Sequence, residues 1–171
     1  VFIDLDRFKT INDTMGHNVG DQLLIETARR IRESVREVDT VARFGGDEFL
    51  ILLEDIERKE NCAVVTDRIL SQFQTPIPLD GEHIGVTLSM GVLIGSDRTV
   101  EQTDVVRLAD MSMYEAKKQG RNRVVYTHDI PEKEIERNLY LENQLQKSIQ
   151  KEEFFVQYQP LVDLRENRLY G

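Results

Sequence analysis

Arg43-Phe44-Gly45-Gly46-Asp47-Glu48-Phe49 stands between two apolar runs, Val41 to Phe44 and Phe49 to Leu53. Runs of that length read as strands, and the paired glycines offer the positive-φ positions of a tight hairpin. A turn alone would be served by Asn-Gly or Asp-Gly. Here two carboxylates follow the glycines, so acids sit where a bare backbone lets a ligand come close. A solvated acidic turn would look the same locally, and the rest of the chain decides between the two.

Working outward, Val1 to Leu5 reads as a buried strand, followed by a short helix from Asp6 to about Met15 with Gly16 at its C′ position. Leu24, Ala28, Ile31 and Val35 recur at helical spacing, which predicts a longer helix from Asp21 to Glu37. After the hairpin, the pattern predicts a helix over 59–73, a strand over 84–94, a helix over 104–119 stopped by Gly120, and a last strand over 124–126. Strands and helices interleave around an antiparallel hairpin. The expected fold class is therefore α/β (α+β), a βαββαβ mixed central sheet flanked by helices. Pro131 then opens a polar helix to about Lys151, read as a linker helix rather than a dimer seam, and 154–164 reads as the first strand of another domain. The expected division is 1–129, 130–152 and 153–171. The apolar start at Val1 and the end at Gly171 read as those of a fragment of a longer multidomain protein.

The chain has 171 residues, 40% of them apolar and 31% charged, enough for a core under a well-solvated surface. Its net charge of −9 argues against broad binding to nucleic acid or anionic membrane. No transmembrane-length apolar stretch is present, so no direct membrane contact is expected from this segment. Cys62 stands alone, which excludes an internal disulfide and fits a reducing, cytoplasmic compartment.

Several side chains carry chemistry at this level. Asp4 and Asp6 flank Leu5 at the end of the first strand, close enough to share a side. Asp6 is a good N-cap for the helix that follows. Asp4 lies in an apolar strand, where a carboxylate calls for a cation or a partner. Should the hairpin pack beside that strand, Asp4 and Asp47 converge on a site suited to Mg²⁺, and the following helix N-terminus offers N–H groups to phosphate. Asn12 and Asp21 could read a guanine edge, or could simply be helix-end residues. Lys117 and Arg121 could reach phosphate oxygens, or could form a cationic last turn before a glycine cap. His17 has no second His or Cys at metal-ligand spacing, and no nucleophile–base pair is evident. Transition-metal and triad chemistry are poorly supported.

Taken in order, these segments resemble the GGDEF family of bacterial diguanylate cyclases. The resemblance runs from Val1 to about Tyr126 and rests on five stretches: Phe2-Ile3-Asp4-Leu5-Asp6-Arg7-Phe8-Lys9-Thr10-Ile11-Asn12-Asp13, Gly16-His17-Asn18-Val19-Gly20-Asp21, the Arg43–Phe49 run, Thr87-Leu88-Ser89-Met90-Gly91, and Tyr114-Glu115-Ala116-Lys117-Lys118-Gln119-Gly120-Arg121-Asn122. It implies a polymerase-palm-like fold related to the nucleotidyl cyclases, and condensation of two GTP molecules to cyclic di-GMP and pyrophosphate. It further implies Mg²⁺ (or Mn²⁺) held by Asp4, Asp47 and the Leu5 carbonyl, with Asp47, Glu48 and Lys9 in the chemistry. Phe8, Asn12, Asp21, Gly45, Gly46, Lys117 and Arg121 would contact substrate, and two domains facing each other, a homodimer, would complete the reaction. Arg36-Glu37-Val38-Asp39 matches the family's RxxD product-inhibition pattern, so Arg36 and Asp39 would bind cyclic di-GMP. The tail Phe154-Phe155-Val156-Gln157-Tyr158-Gln159-Pro160-Leu161-Val162-Asp163-Leu164 resembles the opening of an EAL phosphodiesterase domain. The alternative reading is a regulatory module that binds GTP or cyclic di-GMP and controls an adjacent phosphodiesterase.

Overall fold

The structure, a computed structural model, describes residues 1–56, 58–95, 102–163, 165, 168 and 169. Residues 1–131 form one compact unit and 132–171 another.

In the first unit the chain runs β1 (Phe2–Leu5), α1 (Phe8–Met15), α2 (His17–Glu33), β2 (Thr40–Gly45), β3 (Glu48–Leu52), α3 (Lys59–Gln72), β4 (Ile77–Leu79), β5 (Glu82–Ile84), β6 (Leu88–Val92), α4 (Gln102–Lys118) and β7 (Arg123–Tyr126), with a 3₁₀ turn at Thr127–Asp129. Five strands make the main sheet in the order β2-β3-β1-β6-β7. β1 lies antiparallel to both β3 and β6, β2 is antiparallel to β3, and β7 is parallel to β6. The connections β1–α2–β2 and β3–α3–β6 each pass over a strand placed by the other, two interlocked split βαβ units. This is the mixed α+β sheet flanked by helices that the sequence pattern implies.

The strand period of two separates the faces of β1. Ile3 and Leu5 enter the larger core with Phe8, Leu23, Leu24, Ile31, Phe49, Val65 and Ile69, under α1, α2 and α3. Phe2 points the other way and packs on Ala109 and Met113 of α4. Helix α4 lies very close to β6. A Cβ at Gly91 would come within 2.0 Å of the Ala109 carbonyl oxygen and 2.2 Å of the Met113 nitrogen, so only glycine fits there.

Two elements differ from the expected pattern. α2 opens at His17, four residues before Asp21, because Gly20 belongs inside the helix: a Cβ there would lie 1.8 Å from Asn12 Oδ1 of α1. The strand expected over 84–94 is two strands. β5 pairs with β4 in a separate hairpin through Asp80-Gly81, both at positive φ, and β6 alone joins the main sheet.

The second unit comprises α5 (Glu132–Gln150) and a short pairing of Val162–Asp163 with Arg168–Leu169. The strand expected over 154–164 does not form as such, since residues 154–161 have no regular secondary structure. Leu164, Tyr170 and Gly171 lie outside the described residues. Among the described residues no helix is long and apolar enough to cross a membrane.

Candidate active site

The β2–β3 hairpin closes through Gly46 and Asp47, with Gly45 paired to Glu48. Only Gly46 takes a left-handed conformation, at φ 49°; Gly45 does not, so the turn itself requires one glycine rather than two. Arg43 Nε donates to the Gly46 carbonyl at 3.0 Å and clips the tip. A Cβ on either glycine would meet nothing within 4 Å, which leaves open space beside the tip. Glu48 stands opposite Asp4 in the ladder, and Leu5 N–H donates to the Asp47 carbonyl at 3.2 Å. The hairpin tip is thus fastened to the end of β1.

On the α4 face of β1, Phe2, Asp4 and Asp6 succeed one another. Phe2 meets Met113, Asp4 pairs with Lys117 at 2.6 Å, and Asp6 Oδ1 lies 3.9 Å from Arg121 Nε. The match has a geometric cause. Two strand residues advance roughly 6.6 Å and four helix residues about 6 Å, which keeps Phe2–Met113 and Asp4–Lys117 in step, while Arg121 lies in the turn beyond the end of α4 at Lys118.

Asp4 is buried, and its carboxyl is pushed up to about 6. Burial is the main cause; the bond from Lys117 opposes it, and the charges of Asp47 and Asp6 add to it. Glu48 is also raised, first by burial and then by Asp110 and Asp47. Carboxylates crowded around one lysine favour a further cation, and oxygen donors suit a hard one. Among the described residues no three or more His, Cys, Asp or Glu side chains stand close enough to hold an ion by themselves. That fits an ion that takes one or two carboxylates and completes its shell with water and phosphate oxygens.

The other expected site residues are distributed unevenly. Lys9 is exposed on α1 and Asp21 is exposed on α2, within the helix rather than at its start. Asn12 is half-buried, and its Oδ1 is buried without a hydrogen-bond partner. Phe8 belongs to the core, and the end of its ring stands beside Gly20 next to Asn12. Asp6 is not an N-cap: α1 starts at Phe8 after Arg7, which has φ 62° and makes no side-chain cap bond. Its carboxylate turns instead to Thr87, Ser89 and Asn122.

On another part of the surface, Arg36 is exposed and Asp39 is buried. Asp39 Oδ2 accepts from the Arg36 N–H at 2.8 Å and Oδ1 accepts from the Glu54 N–H at 3.1 Å. Both oxygens are committed to backbone, so in this conformation Asp39 organises the loop and does not present an acceptor to guanine. Arg36 joins Arg68, Asp55, Asn61, Val64 and Val65 around an open hollow of about 310 Å³. Sequence reading missed Arg68. Its signal was the spacing Asn61, Val64, Arg68 on one face of α3.

The model of the family described as "Diguanylate cyclase, GGDEF domain" matches residues 1–123. The chain is 34% identical over 162 residues to the bifunctional diguanylate cyclase/cyclic di-GMP phosphodiesterase MucR of Pseudomonas aeruginosa, covering 95% of this chain and 24% of that protein. It spans between 21% and 28% of the length of the first curated relatives it matches. Among solved structures, it resembles the GGDEF domain of YfiN or TpbB from Pseudomonas aeruginosa, with a TM-score of 0.71 and 40% identity over 73% of this chain and 78% of that one. The GGDEF domain of DgcB from Caulobacter crescentus, solved in complex with c-di-GMP, gives a TM-score of 0.65 and 28% identity over 74% of this chain and 75% of that one. The carboxylates and lysine gathered at the end of β1, the interlocked sheet and a family match over most of the chain agree: the chain belongs to the GGDEF diguanylate cyclase family.

Proposed function

We propose that residues 1–129 act as a diguanylate cyclase domain, condensing two GTP molecules into cyclic di-GMP with release of pyrophosphate. The carrying observation is the end of β1, where buried Asp4 pairs with Lys117 beside the Gly46–Asp47 tip. Asp4, Asp47 and the Leu5 carbonyl would hold a divalent cation, Mg²⁺ or Mn²⁺, which when bound supplies charge stabilisation to the transferring phosphoryl group. Open space at Gly45 and Gly46 gives the nucleotide room to approach the backbone. Lys117 and Arg121 bring positive charge to the phosphates, and Lys9 adds more from α1. Asp47 takes the proton from the attacking 3′-hydroxyl, with Glu48 beside it. Asp4 and Glu48 are both raised by burial and by neighbouring acids, and Lys117 is the base paired to Asp4 there. Asn12, with an unused buried oxygen, and Asp21 recognise the guanine and ribose.

Each 3′-hydroxyl attacks the α-phosphorus of the other GTP, forming one phosphodiester bond and expelling one pyrophosphate. One nucleotide per domain then requires two domains face to face, as a homodimer. Arg36 with Arg68 binds cyclic di-GMP for product inhibition, and Asp39 holds Arg36 in place. The tail from Phe154 is read as the start of an EAL domain, in keeping with the similarity to MucR that continues past residue 123.

The test is chromatographic analysis of GTP turnover with Mg²⁺ at high protein concentration, comparing the parent with Asp47→Ala. Cyclic di-GMP from the parent alone supports the reading. Equal product from both would sink it, and GTP binding without product would favour the regulatory alternative. NbdA, a cyclic di-GMP phosphodiesterase 31% identical to this chain over 170 residues, gives that alternative its footing.

A further inference from the structure

One buried carboxylate outside the residues given roles above gathers three distant segments. Asp6 Oδ2 accepts from the Thr87 hydroxyl at 2.6 Å and from the Asn122 backbone N–H at 3.2 Å. Its Oδ1 accepts from the Ser89 hydroxyl at 2.7 Å and lies 3.9 Å from Arg121 Nε. The Asp6 N–H donates to the Thr87 carbonyl at 2.9 Å, so the residue is fixed to β6 by main chain and side chain together.

Every group facing this carboxylate is acting as a donor. A carboxylate accepts at both oxygens, whereas an asparagine would turn an N–H₂ toward donors. Both oxygens are thus used as acceptors, although the side chain serves no helix as a cap. The segment it grips is also unusual. Arg121 and Asn122 both adopt left-handed conformations, at φ 66° and 49°, directly after Gly120 at φ 110°. Consecutive side-chain-bearing residues in that region persist only where their surroundings hold them. Asp6 supplies that hold: it takes the Asn122 N–H and lies against the Arg121 guanidinium.

We propose that Asp6 is the positioning residue for the phosphate side of the site. It sets the Gly120–Asn122 turn so that Arg121 stands one step beyond Lys117, which Asp4 holds. The inference rests on the reading that Lys117 and Arg121 meet nucleotide phosphates. It assigns Asp6 no contact with substrate or metal; its effect passes through Arg121.

The experiment is calorimetric binding of α,β-methylene GTP with Mg²⁺ to the full chain, for Asp6→Asn, Arg121→Ala and the double variant. Asp6→Asn is expected to weaken binding about tenfold, with no further loss when Arg121 is already alanine. Thr87→Val keeps Asp6 and removes one of its donors. It should give a smaller loss that likewise vanishes on the Arg121→Ala background, and it carries the test should Asp6→Asn not fold. Amide exchange at Asn122 should quicken in both variants while Met90 stays protected. Additive losses, unchanged affinity, or unchanged exchange at Asn122 would each overturn the proposal alone. A parent chain that binds no analogue would overturn the cyclase reading and this inference with it.

Discussion

Asp4 and Asp39 are both buried aspartates within one fold, and they are buried in opposite ways. Asp39 spends its two oxygens on backbone N–H groups of Arg36 and Glu54. Asp4 has a single lysine, and its other charged neighbours, Asp47 and Asp6, repel it. A carboxylate whose lone pairs are filled by main chain is architecture. One left among like charges favours a further cation, and the proposed site is placed at that end of the sheet for this reason.

The strongest way to break this contrast is Asp4→Asn. Product formation should fall by about 10³-fold or more, since the variant removes charge at the point where phosphoryl transfer is stabilised. Stability should move the other way. Asp4 keeps its proton in the folded state up to about pH 6, against a usual 3.8. Its contribution to stability is therefore complete at acid pH and is lost as pH rises through that window, by about 3 kcal/mol in all. Thermal unfolding without added metal should find Asp4→Asn more stable than the parent at pH 8 and equal to it near pH 4. In the parent, turnover should decline as pH falls and protons compete with the cation for Asp4, and more cation should move that decline to lower pH.

Asp39→Ala should do the reverse. It strands two backbone donors and should cost about 3 kcal/mol, read as a lower urea midpoint at unchanged slope, while the folded fraction keeps its turnover. A fully stable Asp39→Ala would erase the distinction. Arg68→Ala should sharpen it, raising the cyclic di-GMP concentration needed for half-inhibition by about tenfold, as should Arg36→Ala. The smallest effect belongs to Arg29→Ala. Arg29 is exposed and pairs with Glu26 and Glu33 along α2, and its loss should leave the unfolding midpoint almost unmoved.

The period of hydrophobic residues and the glycine stops made most helices and the β2–β3 hairpin legible, because those signals are local. Most of the misreadings have another cause: the deciding contact is with a different element of the fold. The apolar period places the start of α2 at Asp21, whereas the helix opens at His17 and Gly20 lies inside it, where Asn12 leaves no room for a Cβ. Asp6 has the composition of an N-cap, but its partners lie 81, 83 and 116 residues away. Asp39 reads as a ligand acceptor until Glu54 is brought beside it. Asp80-Gly81 was a strong local hairpin signal inside a stretch read as leading into one long strand. Asp4, Asp47 and Lys117 were legible as chemistry, while their pairing awaited the step of two strand residues against four helical ones.

That step has a consequence in time. On the ribosome the acids at positions 4 and 6 emerge first, and the bases that match them, Lys117 and Arg121, follow more than a hundred residues later, as the separation of 116 between Asp6 and Asn122 implies. At about 5–20 residues per second, the end of β1 waits several seconds or longer for its partners. Until α4 has been made and laid alongside β1, the nascent chain carries a cluster of acids without its bases. The site is then completed by closing a loop of more than a hundred residues.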